Sequence, residues 1–199
     1  MSLRRRILPL WRGALFSDAV ISQGQTRYWF QRIKLRLIGN FKIMSKVALF
    51  PGSFDPFTSG HLNILTRALT IFDEVVVAVG INQAKRGFYT MSQREDIIAQ
   101  ATKDLKGVKI ISYDGLTVDL CKELGIKHIV RGVRNMTDFD NEQAVADANR
   151  HLAPDIDTII IPTAQEYSHI SSSAVRDLLS HHGDLSRFIP DWVVLPEIV

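Results

Sequence analysis

The sequence predicts a doubly wound α/β fold, a five-stranded parallel sheet with helices on both faces. Three observations carry that prediction. From Met44 onward, short apolar runs rich in Val and Ile alternate with amphipathic helical patterns. Several of the runs are continuously apolar rather than alternating, as strands covered on both faces must be. Gly and Pro residues stand where the helical patterns stop.

The first strand is expected at 46–50, around Val47-Ala48-Leu49-Phe50. The helix after it, at 60–72, sets Leu62, Leu65, Leu69 and Phe72 on one face. A second strand is expected at 74–80, then a helix at 92–103 opened by a capping box of Ser92 and Glu95. The third pair is a strand at 108–112 and a helix at 117–124 closed by Gly125. The fourth is a strand at 127–130 and a helix at 138–152, stopped before Pro154. The last is a strand at 157–161 and a helix at 171–181 with Gly183 as its cap. Such βαβ units build a Rossmann-like sheet whose ligands bind beyond the carboxyl ends of the strands. The loops at 51–60, 81–91, 113–116, 131–137 and 162–170 should therefore hold the chemistry. The chain lacks G-x-G-x-x-G and G-x-x-x-x-G-K-[ST], which argues against a dinucleotide oxidoreductase and a P-loop enzyme.

Composition separates the chain into two parts. It has 199 residues, 46% of them hydrophobic, enough for one domain with a sizeable core. The net charge of +3 points toward nucleic acid, but the average misleads. Residues 1–43 hold nine Lys/Arg against Asp18 alone, whereas 44–199 hold fifteen against twenty Asp/Glu. The domain at 44–199 is acidic, and 1–43 reads as a basic N-terminal extension outside the fold. A targeting segment and a basic arm are the alternatives for it. No run of 18 apolar residues is present to span a membrane. Cys121, the single cysteine, cannot form an internal disulfide, and a cytoplasmic setting is expected.

The loop Pro51-Gly52-Ser53-Phe54-Asp55-Pro56-Phe57-Thr58-Ser59-Gly60-His61 joins a buried strand to a helix. Backbone N–H groups and the positive end of the helix dipole favour a phosphate there, and His61 falls in the first turn. Lys85 and Arg86 follow the second strand, where adjacent cations suit a phosphorylated substrate. Arg131-Gly132-Val133-Arg134 follows the fourth strand. Its two guanidiniums either clamp an anion or pair with Asp138 or Asp140. After the fifth strand come Tyr167-Ser168-His169-Ile170-Ser171-Ser172-Ser173, with more serines than one N-cap requires.

Thr58-Ser59-Gly60-His61 resembles the T/H-x-G-H signature of the nucleotidyltransferase superfamily, and Ile170 to Arg176 resembles its second, I-S-S-[ST]-x-x-R. With PGSFDP, R-G-V-R and Asn149-Arg150-His151, the region from Met44 onward resembles the phosphopantetheine adenylyltransferases. The resemblance implies AMP transfer from ATP to 4′-phosphopantetheine, giving dephospho-coenzyme A and pyrophosphate. It implies catalytic roles for Ser53, His61, Lys85 and Arg134. ATP would meet Ser53, Phe54, His61, Gly132, Val133, Arg134, Glu142 and Tyr167 through Ser173. The acceptor would meet Ser53, Lys85, Thr117 and Arg131. Mg²⁺ is expected with the nucleotide, held by phosphates and water rather than a carboxylate cage. A homohexamer is implied, with neither nucleic acid nor membrane as a partner. The family's usual Thr is Ser53 here, and its usual aromatic before Glu142 is Asn141. The alternatives are a nicotinate mononucleotide adenylyltransferase, an idle nucleotide-binding module and an RNA-binding protein.

Overall fold

The computed structural model describes residues 46–81 and 87–197. The extension at 1–43 and Lys85 lie outside the described residues. The order of elements is β1 (Val47–Gly52), α1 (Ser59–Ala68), β2 (Glu74–Gly80), α2 (Met91–Ala101), β3 (Val108–Tyr113) and α3 (Thr117–Leu124). It continues with β4 (His128–Val133), α4 (Met136–Leu152), β5 (Asp157–Pro162), a 3-10 turn (Gln165–Tyr167) and α5 (Ser172–Ser180). All five strands run parallel in the order β3-β2-β1-β4-β5.

The apolar runs are buried on both sides, as their composition demands. On one face Ala48, Phe50, Val75, Val77 and Val79 pack with Ile64 and Leu65 of α1 and Ile97 and Ile98 of α2. On the other, Leu49, Val76, Ala78 and Ile129 pack with Val118 and Cys121 of α3. The strand order reverses direction between β1 and β4, which makes their carboxyl ends the place for a ligand crevice. The register there is sparse. Leu49 opposite Ile129 is the single β1–β4 pair, whereas β1 and β2 pair over six residues. No further β1–β4 partners are in register past that pair, and the crevice lies at Gly52 and Arg131, at the carboxyl ends of the two strands.

Two expected caps move. The capping box of α2 is Thr90 with Gln93, not Ser92 with Glu95: Thr90 Oγ1 accepts from the Gln93 N–H and Gln93 Oε1 from the Thr90 N–H. The helix starts earlier because the segment before it is pinned at Phe88 and Tyr89 by the Asp55 carboxylate, at 2.8 Å each. At α5 the left-handed residue is His182 (φ +53°), and Gly183 follows it, its N–H donating to the Leu178 carbonyl at 2.8 Å. Gly125 does cap α3 in the left-handed region, at φ +67°.

Gly132 is needed for close approach. A Cβ there would lie 2.7 Å from Ile64 Cγ1, so β4 and α1 meet across bare backbone. Gly132→Ala is expected to cost about 1–3 kcal/mol by overpacking. For a domain of this size that lowers Tm by about 2–4 °C per kcal/mol, measurable by calorimetry. An unchanged Tm would mean that α1 moves aside freely.

Candidate active site

The gap between β1 and β4 is a cavity of about 410 Å³. Its walls come from the β1–α1 loop, the start of α1, the end of β4, the first half of α4 and the start of α5. Of the residues expected to act, Ser53, Phe54, His61, Arg131, Gly132, Arg134, Glu142 and Ile170 through Ser173 all line it. They come from four separate stretches of sequence, and the fold brings them to one place.

His61 is held by its own helix cap. Thr58 is the N-cap of α1 and is buried, and its backbone N–H donates to His61 Nδ1 at 3.0 Å. A nitrogen that accepts from a backbone N–H carries no proton, so a neutral ring must carry its proton on Nε2. The return contact, His61 N–H to Thr58 Oγ1 at 3.4 Å, completes the box. Phe54 meets the ring edge-on, with centroids 5.1 Å apart, and Phe57 lies 5.4 Å away. Burial first, then the charges of Arg131 and Arg134, lower the His61 pKa from 6.5 to about 4. Near neutral pH the side chain is therefore an uncharged N–H donor of fixed orientation.

That shift has a sign that can be checked. Between pH 6.5 and about 4 the unfolded chain binds a proton that the folded chain excludes. The contribution to stability is intact above 6.5 and is lost as pH falls through that window. Among the six histidines, the His61 ring resonance is expected to titrate near pH 4 by NMR. A midpoint at 6.5 would mean that the ring is freely solvated.

The arginines of the β4 turn are already engaged. Arg131 makes a two-pronged pair with Glu142, Nε to Oε2 at 2.6 Å and Nη2 to Oε1 at 2.5 Å, and Nη1 donates to the Pro51 carbonyl. Arg134 takes Asp138 the same way, at 2.7 and 3.1 Å, which lowers the Asp138 pKa chiefly through the side-chain hydrogen bond. The pairing with Asp138 that the sequence left open is thus made, yet both arginines still line the cavity. With Arg176, the described charges of the lining are three guanidiniums against two carboxylates. Among the described residues the lining therefore carries only a small positive excess, and backbone N–H groups and hydroxyls add further donors for an anion.

The three serines at the start of α5 have different partners. Ser171 is the N-cap and accepts from the Ala174 N–H at 3.0 Å. Ser172 Oγ donates to the Pro56 carbonyl at 2.8 Å, and Ser173 Oγ accepts from Arg176 Nη2 at 3.0 Å. Ser172 therefore ties α5 to the β1–α1 loop, and Ser173 holds Arg176 of the same helix.

Other expected residues lie elsewhere. Val133 is buried, and its carbonyl accepts from the Thr163 N–H at 2.8 Å. Tyr167 ends the 3-10 turn, Ser168 Oγ donates to the Gln165 carbonyl, and the His169 ring packs against Phe188. Thr117 Oγ1 sits 2.9 Å from Tyr113 Oη beyond β3, two strands from β1. None of these five borders the cavity among the described residues.

The sequence also left several residues without a role. Thr58 fixes the His61 tautomer, and its T-x-x-H spacing is the signal that could have found it. Arg176 reaches both Ser173 and the Asp55 carbonyl. Gly52 is required because a Cβ there would lie 2.8 Å from the Phe54 ring. At Gly60 a Cβ would find only ordinary contacts, the nearest at 3.6 Å, so packing does not demand glycine there. Its bare backbone instead forms part of the cavity wall.

Comparison with known proteins gives three findings. Residues 49–178 match the family model described as cytidylyltransferase-like. The phosphopantetheine adenylyltransferase of Porphyromonas gingivalis is 47% identical over 149 residues, 75% of this chain and 97% of the relative. That of Lachnoclostridium phytofermentans is 42% identical over 149 residues, 75% of this chain and 91% of the relative. Among solved structures, a bifunctional NMN adenylyltransferase/ADP ribose pyrophosphatase from Francisella tularensis aligns with TM-score 0.58. It is 17% identical over 73% of this chain and 45% of that one, a likeness of fold alone.

Proposed function

Because the chain belongs to the phosphopantetheine adenylyltransferases, within the cytidylyltransferase-like family, we propose that the cavity between β1 and β4 is where it transfers the adenylyl group of ATP to 4′-phosphopantetheine. The products are dephospho-coenzyme A and pyrophosphate. The observation that carries the assignment of the site is His61, locked as an Nε2–H donor at the N-terminus of α1.

The chemistry asks little of the protein beyond placement. An oxygen of the acceptor phosphate attacks the α-phosphorus of ATP, and the bond from that phosphorus to the oxygen bridging the β-phosphate breaks. The acceptor phosphate, with a second pKa near ~6, is already an anionic nucleophile, so no base has to remove a proton. Holding the two substrates in line supplies effective molarities of ~10⁵–10⁸ M. Ser53 and the Phe54 backbone orient phosphate oxygens. His61 Nε2–H donates to the charge developing on the α-phosphate, in the manner of an oxyanion-hole donor. Lys85 bridges the acceptor and the α-phosphate, and Arg131 reaches the acceptor. Arg134 and Ser171 to Ser173 hold the leaving pyrophosphate, and Glu142 meets the nucleotide.

Among the described residues no three of His, Cys, Asp and Glu are grouped so as to hold a metal ion. Mg²⁺ would come with the nucleotide, held by its phosphates and water, and would offset their charge. A homohexamer is what membership of the family implies, and the exposed apolar side chains of α4 suit association between copies. None of the side chains of α4 is buried, and Met136, Val145 and Leu152 are 72%, 51% and 52% exposed. The acidic balance of 44–199 offers a nucleic-acid backbone no basic surface, in keeping with ATP and 4′-phosphopantetheine as the partners. No helix among the described residues is long and apolar enough to cross a membrane. Cys121 is buried, with its thiol pushed up to about 11 by burial, so it stays protonated and unreactive.

Pyrophosphate release from ATP, measured over a panel of phosphorylated acceptors, tests the reading. Release is expected with 4′-phosphopantetheine and not with nicotinate mononucleotide. The reverse preference would overturn the acceptor assignment, and release with neither would overturn the activity.

A further inference from the structure

The Ser53–Phe54–Asp55 turn is an unfavourable piece of backbone. Phe54 is buried and sits at φ +46°, a region that side chains with a Cβ rarely occupy. Such a conformation persists only when the surroundings hold it on both sides, and here they do. Arg94 of α2 donates from Nη1 to the Ser53 carbonyl at 3.2 Å, just before the turn. Its Nε lies 3.2 Å from the Asp55 carboxylate, just after it, and donates to the Tyr89 carbonyl at 2.9 Å. Both Asp55 oxygens are also taken, by the Phe88 and Tyr89 N–H groups at 2.8 Å.

The pair is a buried one, with side chains 10% and 13% exposed, and nothing in the reaction uses it. Gly87 leaves room for it, because a Cβ there would fall 1.5 Å from Arg94 Nη2. Neither Arg94 nor Asp55 lines the cavity, whereas Ser53 and Phe54 do. A charge so far from solvent is costly to bury, and two backbone carbonyls and a carboxylate in one guanidinium's reach match a fork that lysine cannot reproduce.

We propose that Arg94, through Asp55, is a positioning residue that clasps the Ser53–Phe54 turn in its left-handed form and so aims Ser53 at the substrate phosphates. The clasp joins the β1–α1 loop to a distant part of the sequence, α2 and the stretch that leads into it. It acts on the reaction through where the Ser53 hydroxyl stands. This rests on the adenylyl transfer proposed above.

A double-mutant cycle tests it, with kcat/KM for 4′-phosphopantetheine as the readout in full-length protein. Arg94→Lys keeps the charge and loses the fork, and it should lower kcat/KM by about 10²-fold, the scale of a ~1 Å misplacement. In a Ser53→Ala background, where no hydroxyl is left to aim, the same change should cost at least about tenfold less. Penalties equal within about twofold in both backgrounds, the result of a merely structural role, would overturn the clasp. Asp55→Asn gives up the charge and one acceptor with little change of volume, and runs the same cycle if Arg94→Lys does not fold. Failure of both to fold would make the pair a determinant of the fold and overturn the positioning role. The parent separates this from the underlying reading: an inactive parent overturns both, and an active parent with equal penalties overturns the clasp alone.

Discussion

His61→Ala is expected to remain folded and to lose about 10²–10³ in kcat, roughly 3–4 kcal/mol of transition-state stabilisation. Thr58 takes up Nδ1, so the one remaining ring hydrogen is on Nε2, on a side chain that lines the cavity. Phe54 and Phe57 fix the plane of the ring, so the donor needs no reorganisation as charge builds on the α-phosphate. The capping box loses one of its two contacts, which should cost about 0.5–2 kcal/mol of stability at most. Thermal unfolding separates that loss from the catalytic one. A folded variant with near-normal kcat would remove His61 from the mechanism.

Arg131→Ala is expected to weaken both ligands. Sequence resemblance divides the labour, sending Arg131 to the acceptor and Glu142 to the nucleotide, and predicts that Arg131→Ala weakens acceptor binding more than ATP binding. The structure joins the two in a two-pronged ion pair, with side chains 29% and 17% exposed. Removing Arg131 leaves the Glu142 carboxylate unpaired in a cavity meant for polyanions. The lost charge-assisted hydrogen bonds are worth about 1.5–3 kcal/mol, or roughly 10- to 150-fold in affinity. Titration calorimetry of each ligand should show both losses, and Arg131→Ala/Glu142→Ala should recover part of the ATP affinity because the two changes are coupled. Loss of acceptor binding with unchanged ATP affinity would restore the division that the resemblance implies.

What the sequence made legible follows from the range of the interactions involved. Strand positions came out within a few residues because a run such as Glu74–Gly80 has to be covered on both faces wherever it lies. The Gly125 cap was legible for the same reason, being decided within one turn of helix. The cap of α2 was not. Thr90-x-x-Gln93 and Ser92-x-x-Glu95 both satisfy the pattern, and the choice is made by Asp55, far back in the chain. Likewise Arg131–Glu142 and Asp55–Arg94 are pairings across elements, which local periodicity does not encode. The two signatures identified where phosphates should sit. They left hidden that Ser172 also braces the loop opposite it and that the arginines of the β4 turn arrive already paired.

The account rests on a single transfer step within one cavity, with His61 as a donor and not a nucleophile. Its tautomer requires this, because the ring has no free lone pair on the nitrogen left for the substrate. The stereochemical course at the α-phosphorus, followed with ATP made chiral by an α-thio substitution, tests that claim most directly. Direct attack by 4′-phosphopantetheine predicts inversion. Retention would mean two displacements through a covalent adenylyl-enzyme and would contradict the mechanism.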